Sequence, residues 1–364
     1  MKAFCLLILI SFSFSANADD EQLRDVMRHL ADSLLTLMPI VQNRDFDAEK
    51  FELEAQRLHR YVQQAERHFD DQPVSARITY GMLKERIEEA SRLSADSSMI
   101  SARSLLSESL ELCASCHAQD RKSRPGFGIS RLRELDEFQA AEFSFLSRDY
   151  ASALTSYKNF LTAEKSDGHR RSLALDRILS ITTEIYGDLD AALQVLKEIR
   201  LVSESEKIRV TSWQSVFRNL KSQSPLVSPL APQDIRDMDR FLTNDWPAMQ
   251  SFMNWNEQQA YWMMIRRKLN TFLENGPSAE ETPVLLYWQA GADRSTHFQF
   301  YESLSRRYLE RCMREYPGHA YARKCFDEFE LLMIVSFSGS GGINIPVEVR
   351  EEINELRRIV YSRD

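Results

Sequence analysis

SSMISARSLLSESLELCASCHA, residues 97–118, ends on Cys113-Ala114-Ser115-Cys116-His117. With Ile100, Leu105, Leu112 and Cys116 as its apolar positions, the stretch reads as one helix that carries a cysteine motif at its end. Cys-x-x-Cys-His is the attachment spacing of c-type haem. Two thiols add across the two vinyl groups of one haem, and the histidine beside the second cysteine reaches the iron from the proximal side. A thioredoxin-like dithiol shares the Cys-x-x-Cys part but needs a βαβ context, and the surroundings here read as helical. A zinc site needs a second ligand pair. The other cysteines, Cys312 and Cys325, are distant and spaced differently.

Three further helices are expected upstream. The first runs from about Glu21 to Val41, with Leu23, Val26, Met27, Leu30, Leu34, Leu37 and Met38 three and four apart. The second runs from about Asp47 to His68, with Phe51, Leu58, Val62, Ala65 and Phe69 along one face. Asp70-Asp71-Gln72-Pro73 breaks it. The third runs from about Ser75 to Leu93, carrying Ile78, Met82, Ile87 and Ala90. One apolar stripe per helix and short connections predict an up-down-up-down bundle.

A four-helix bundle with Cys113-Ala114-Ser115-Cys116-His117 near the end of its last helix resembles the class II c-type cytochromes, the cytochrome c-prime group. The likeness covers roughly the first third of the chain that remains after residue 18, and the pentapeptide is its sharp part. It implies one covalent haem c held by Cys113 and Cys116, with His117 on the iron. It also implies that any sixth ligand comes from early in the first helix. Met27, in Met27-Arg28-His29-Leu30-Ala31-Asp32-Ser33-Leu34, is the expected distal ligand. His29 competes with it, but the two lie about 200° apart around a helix, so only one can face the iron. An empty sixth position is the third possibility. Arg121, four residues past His117, is placed to pair with a haem propionate. His59 and His68 read as ordinary helix residues.

The N-terminus supplies a compartment. Lys2 precedes an apolar run from Ala3 to Phe14, and Ala16-Asn17-Ala18 gives a small-x-small site before Asp19. This reads as a secretory signal peptide over residues 1–18. The run is short for a membrane span, and no later stretch reaches the ~18 apolar residues of one. The expected location is periplasmic, on the side of the membrane where c-type haem is attached.

Composition is 43% hydrophobic and 27% charged, with a net charge of −8, which argues against nucleic acid as a partner. With 11 Gly and 11 Pro in 364 residues, breakers are few and helix is favoured throughout. The expected class is all-α: a four-helix-bundle haem domain at 19–124, a linker at 125–131, and an α-solenoid of helical hairpins at 132–364.

The solenoid reading rests on two degenerate repeats. Tyr150-Ala151-Ser152-Ala153-Leu154 and Leu189-Asp190-Ala191-Ala192-Leu193 resemble tetratricopeptide units, with Tyr150 and Leu189 separated by 39 residues; the usual period is about 34. Further helices are expected at 204–220, 233–243, 256–274, 282–290, 297–315, 319–336 and 346–361. Ser338-Gly339-Ser340-Gly341-Gly342 reads as a turn, since no strand precedes it and no Lys-Ser/Thr follows. The aromatic-rich stretch from Trp246 to Trp288 reads as core, with an exposed subset able to form a partner groove. Cys312 lies five residues before Pro317 and Cys325 eight after it, so a hairpin turning at Tyr316-Pro317-Gly318 brings them to similar heights. A disulfide between them is expected in an oxidising compartment.

No Ser/His/Asp set, paired carboxylates or distal acid–base group can be nominated, so the expected role is not enzymatic. Electron transfer to a redox partner protein is the leading reading, with the repeat domain as docking surface. A haem-containing sensor or cell-envelope scaffold is the alternative.

Overall fold

The computed structural model describes residues 22, 25–40, 47–70, 72–96, 98–119, 135–163, 167–222, 232–296 and 303–362. The expected signal segment, the 125–131 linker and Arg121 lie outside the described residues. Among those described, the chain is all-α apart from one small hairpin. It divides into two compact units, Met1–Phe160 and Leu161–Asp364.

The first unit opens with helix α1 (25–40), followed by α2 (Ala48–Ala65), α3 (Val74–Ala95) and α4 (Met99–Gln119). Asp47 starts α2 by accepting the backbone N–H of Lys50 at 3.0 Å, which satisfies one of the donors left over at a helix N-terminus. A 3-10 turn, Glu66–His68, ends that helix, and Pro73 stands at the start of α3, where a missing N–H does no harm. Phe51, Ala55, Leu58, Val62 and Ala65 form the buried stripe of α2. They share one core with Val26, Leu30, Leu37 and Ile40 of α1, Tyr80, Ile87 and Ala90 of α3, and Ala102 and Leu106 of α4. Two more helices follow in this unit, α5 (Glu137–Leu146) and α6 (Tyr150–Thr162). A reciprocal capping box of Asp136 and Gln139 begins α5. The unit boundary falls near the end of α6.

In the second unit α7 (Gly168–Leu179) runs into a π-helical turn, Ser180–Ile185, and is followed by α8 (Leu189–Glu198) and α9 (Glu204–Ser222). Next come α10 (Ile235–Arg240) with its own π-turn at Phe241–Asp245, α11 (Trp246–Gln250), α12 (Trp255–Glu274) and α13 (Thr282–Thr296). The last three are α14 (Leu304–Glu315), α15 (Ala320–Ser336) and α16 (Val347–Tyr361). Consecutive helices pack on one another from α12 through α16, and α9 packs on α12. Residues 338–342, read as a turn, belong to a small antiparallel hairpin in which Ser338 pairs with Ile343 and Gly339 with Gly342, the latter at φ 98°. The aromatic stretch splits in two. Trp246, Tyr261 and Trp262 are buried ring against ring, whereas Phe252 is 91% exposed and Trp255 55%.

Two buried ion pairs tie distant parts of this unit. Arg171 Nε and Nη2 donate to Glu206 at 2.7 and 3.0 Å, and the same guanidinium reaches the carbonyls of Leu161 and Arg200. Glu184, inside the first π-turn, accepts from Arg266 at 2.7 and 2.6 Å. The helix ends at Ile185, so its last carbonyls have no partner within it, and Arg267 donates to two of them, Glu184 O at 2.6 Å and Ile185 O at 2.5 Å. Gly187 permits that approach. Its φ is +65°, and a Cβ there would lie 2.6 Å from the Arg267 guanidinium.

Burial opposes ionisation of Glu206. The hydrogen bonds from Arg171 and from Val202 N–H outweigh it and hold the carboxyl below its ordinary value. Glu206→Gln strands the Arg171 guanidinium and should lower the unfolding free energy by about 3–5 kcal/mol. Glu204→Gln removes only the exposed partner of Lys207 and should change it by less than about 0.5 kcal/mol. Urea unfolding followed by tryptophan fluorescence measures both, and equal effects would refute the role given to Arg171.

Candidate cofactor site

The pentapeptide occupies the closing turns of α4, which ends at Gln119. Cys113 is half-buried. For residues 114–119 the helical backbone is described and the side chains are not. At about 100° per residue, positions 113 and 117 continue the line of Ala102 and Leu106, two residues of the shared core. The cysteine motif therefore sits at the end of the helix face that the other three helices cover.

Contacts between the helices fix which ends meet. Arg67 donates to Gln22 at 2.8 Å, and the rings of Tyr61 and His29 stack with centroids 4.9 Å apart, so α1 and α2 are antiparallel. α2 and α3 pack on one another across the short connection that follows the 3-10 turn, which makes them antiparallel, and Tyr80 Oη donates to Val62 O at 2.6 Å where the end of α2 meets the first half of α3. Arg86 faces Glu108 at 3.5 Å across α3 and α4, which a short connection joins. The start of α1, the end of α2, the start of α3 and the end of α4 thus lie at one end of the unit.

Met27 belongs to that end. It is half-buried and packs against the shared core. His29 is exposed and lies flat on Tyr61. The structure thus separates the two sequence candidates as helical period requires, with the thioether on the core side and the imidazole outside it.

Three features at this end escaped the sequence. Tyr80 and Phe69 stack at 4.0 Å and form an aromatic wall. Burial, with a smaller contribution from Glu66, pushes the Tyr80 hydroxyl well above its ordinary pKa, so it stays a neutral donor to Val62. Arg77, in the first turn of α3, has a buried Nε with no hydrogen-bond partner. A buried donor without an acceptor is uncommon, and a carboxylate such as a propionate would satisfy it. No sequence signal distinguishes Arg77 from the other arginines, because the burial of its Nε arises only in the packed structure.

The donor set fits a covalently tethered haem. Two thiols and an imidazole are carried in attachment order on one helix end, and a thioether on α1 and a guanidinium donor on α3 lie at the same end of the unit. His59, in α2, has a buried Nε2 without a partner. His68 lies in the 3-10 turn and accepts a hydrogen bond from Arg67. Among the described residues no cluster of three or more His, Cys, Asp or Glu could hold a metal ion, and no helix is long and apolar enough to cross a membrane.

In the second unit Cys312 and Cys325 are fully buried at disulfide distance, their Cα atoms 6.5 Å apart. They link α14 to α15 across the Tyr316-Pro317-Gly318 turn. Comparison with protein-family models, curated proteins and solved structures finds no match to this chain.

The cross-link closes a loop with a sequence separation of 13. Changing both cysteines to Ala should lower stability by about 3 kcal/mol. Without reductant, the denatured wild type should resist a thiol reagent at these two positions. Labelling of both would show that they are thiols.

Proposed function

We propose that this chain is an exported c-type cytochrome that binds one covalent haem and passes electrons to a protein partner in the periplasm. The observation that carries the reading is the placement of Cys113-Ala114-Ser115-Cys116-His117 at the end of α4, level with the stretch of α1 that contains Met27. In this reading the first four helices are a cytochrome bundle, and the later helices form a solenoid of hairpins that docks the partner.

Haem bound at this site would supply a one-electron iron couple. Cys113 and Cys116 would tether it through two thioether bonds, and His117 would supply an imidazole to its iron. Met27 would supply a thioether ligand, which favours the ferrous state and raises the potential. With Met27 as a ligand, small molecules would be kept from the iron. Arg121 and Arg77 are the cations available to the propionates. The net charge of −8 favours a basic partner and a docking rate that falls with salt. The reading assigns no enzymatic role, and the acidic balance favours a partner other than nucleic acid.

The first test is covalent attachment. Protein exported by a host with cytochrome c maturation should carry haem that stays with the polypeptide on a denaturing gel. Cys113→Ala with Cys116→Ala should abolish it. Exported wild type without covalent haem would overturn the proposal.

The second test separates electron transfer from sensing. The wild-type ferric protein should show the far-red thioether-to-iron charge-transfer band, and the ferrous protein should refuse carbon monoxide. Met27→Ala should lose the band and bind carbon monoxide stoichiometrically. A wild type that binds it as readily as the variant would favour the sensor reading.

A further inference from the structure

From Trp246 to Asn256 the chain carries no charged side chain, although 27% of its residues are charged. Trp246 is buried in the aromatic core, and the tract then leaves that core through α11 and a turn into α12. On this turn stand Phe252, 91% exposed, and Trp255, 55% exposed. Phe252 is the most exposed large apolar side chain among the described residues. Asn254 Nδ2 donates to Ser212 Oγ of α9 at 3.1 Å, which ties the turn to that helix. One turn before Ser212, on the same side of α9, Ile208 is also exposed. Apolar surface gathered in this way marks a place of contact.

The turn meets its own hydrogen-bonding needs to an unusual degree. Four successive N–H groups donate within it: Ser251 to Pro247 O, Phe252 to Met249 O, Met253 to Gln250 O, and Asn254 to the Glu257 carboxylate. Gln258 Nε2 donates to Met253 O at 3.0 Å and to Gln250 O at 3.4 Å, and Ser251 Oγ donates to Ala248 O at 2.8 Å. Backbone groups paired in this way lose little when water is taken from around them. The same bonds fix the turn from which Phe252 and Trp255 emerge.

We propose that the turn at 247–255 is a membrane-surface anchor, which seats Phe252 and Trp255 at the headgroup boundary of a zwitterionic lipid bilayer with Ile208 at its edge. Such a boundary takes up aromatic rings, Trp above all, and needs no charge opposite it. Among the described residues no helix is long and apolar enough to cross a membrane, so an anchor of this kind is peripheral and reversible.

Charge argues for this occupant over the others. The first charged residues on either side of the tract are Asp245 and Glu257, and Glu257 is engaged in the capping box of α12. Beside Ile208 on α9, Lys207 pairs with Glu204 at 3.2 Å and Arg209 pairs with Asp176. The turn therefore presents no cation of its own to an anionic lipid or an acidic protein. A second copy of the chain would bring Asp245 toward its own image and one net charge of −8 toward another.

Flotation of the full chain with phosphatidylcholine vesicles tests the anchor, with or without haem. Wild type should rise with the vesicles. Phe252→Ser should lower the partition coefficient about tenfold, and adding Trp255→Ser should lower it about tenfold again. Phe252→Leu should keep most of the binding, and urea unfolding of Phe252→Ser should match wild type, since that ring lies almost wholly in water. Adding anionic phosphatidylglycerol should weaken binding at low salt, given the net charge of −8. Ile343 and Val347, exposed elsewhere in the unit, supply the control, and their joint change to Ser should leave flotation unaltered. The proposal is overturned by a wild type that stays in solution, by an equal loss in the control pair, or by binding that strengthens with phosphatidylglycerol. A concentration-dependent dimer that Phe252→Ser abolishes would assign the surface to a second copy and overturn it as well.

Discussion

A helix with one apolar stripe cannot bury that stripe alone, and nearly everything in this protein follows from that constraint. In the first unit α1 to α4 turn their stripes inward to a single core in which Phe51 and Ala55 are completely enclosed. That shared core is also what brings the start of α1 and the end of α4 to the same end of the unit. In the second unit each helix from α12 onward meets the same need by packing on its neighbours.

Charge does a different kind of work. Apolar stripes specify that helices pack, but they specify register weakly, because one leucine serves much like another. The Arg171–Glu206 and Arg266–Glu184 pairs fix register strongly, since any slip leaves a charge buried without its partner. The π-turn at Ser180–Ile185 follows the same logic. It places Glu184 against Arg266 and hands its spare carbonyls to Arg267, and Gly187 leaves the space in which this happens.

Much of this was legible in the sequence, for a physical reason. Helical period is a local signal, so the span expected at 256–274 appears as Trp255–Glu274 and that expected at 346–361 as Val347–Tyr361. The cysteine spacing around Pro317 was likewise local and led directly to the adjacency of Cys312 and Cys325. What could not be read depended on residues far apart in the chain. Arg171 and Glu206 are separated by 35 positions and Arg266 and Glu184 by 82, and neither pair has a pattern of its own. Period alone also could not tell Trp246 from Phe252, because both sit among aromatics and only the packed structure buries one and exposes the other. Of the candidate cofactor site, the pentapeptide Cys113–His117 was plain in the sequence. The aromatic wall of Tyr80 and Phe69 and the stranded Arg77 donor belong to neighbouring helices and became visible only once those helices were packed.

The pentapeptide is in angular phase with Ala102 and Leu106, and that makes the length of α4 before it a fixed quantity. One residue added between Leu106 and Cys113 would turn everything beyond it by about 100° and advance it by about 1.5 Å. The motif would keep its spelling and lose its aim. One residue added in the short connection between α3 and α4 disturbs neither phase nor rise within the helix, and its cost is that of a slightly longer loop. Chains related to this one should therefore vary freely in that connection and hardly at all in the seven-residue step from Leu106 to Cys113.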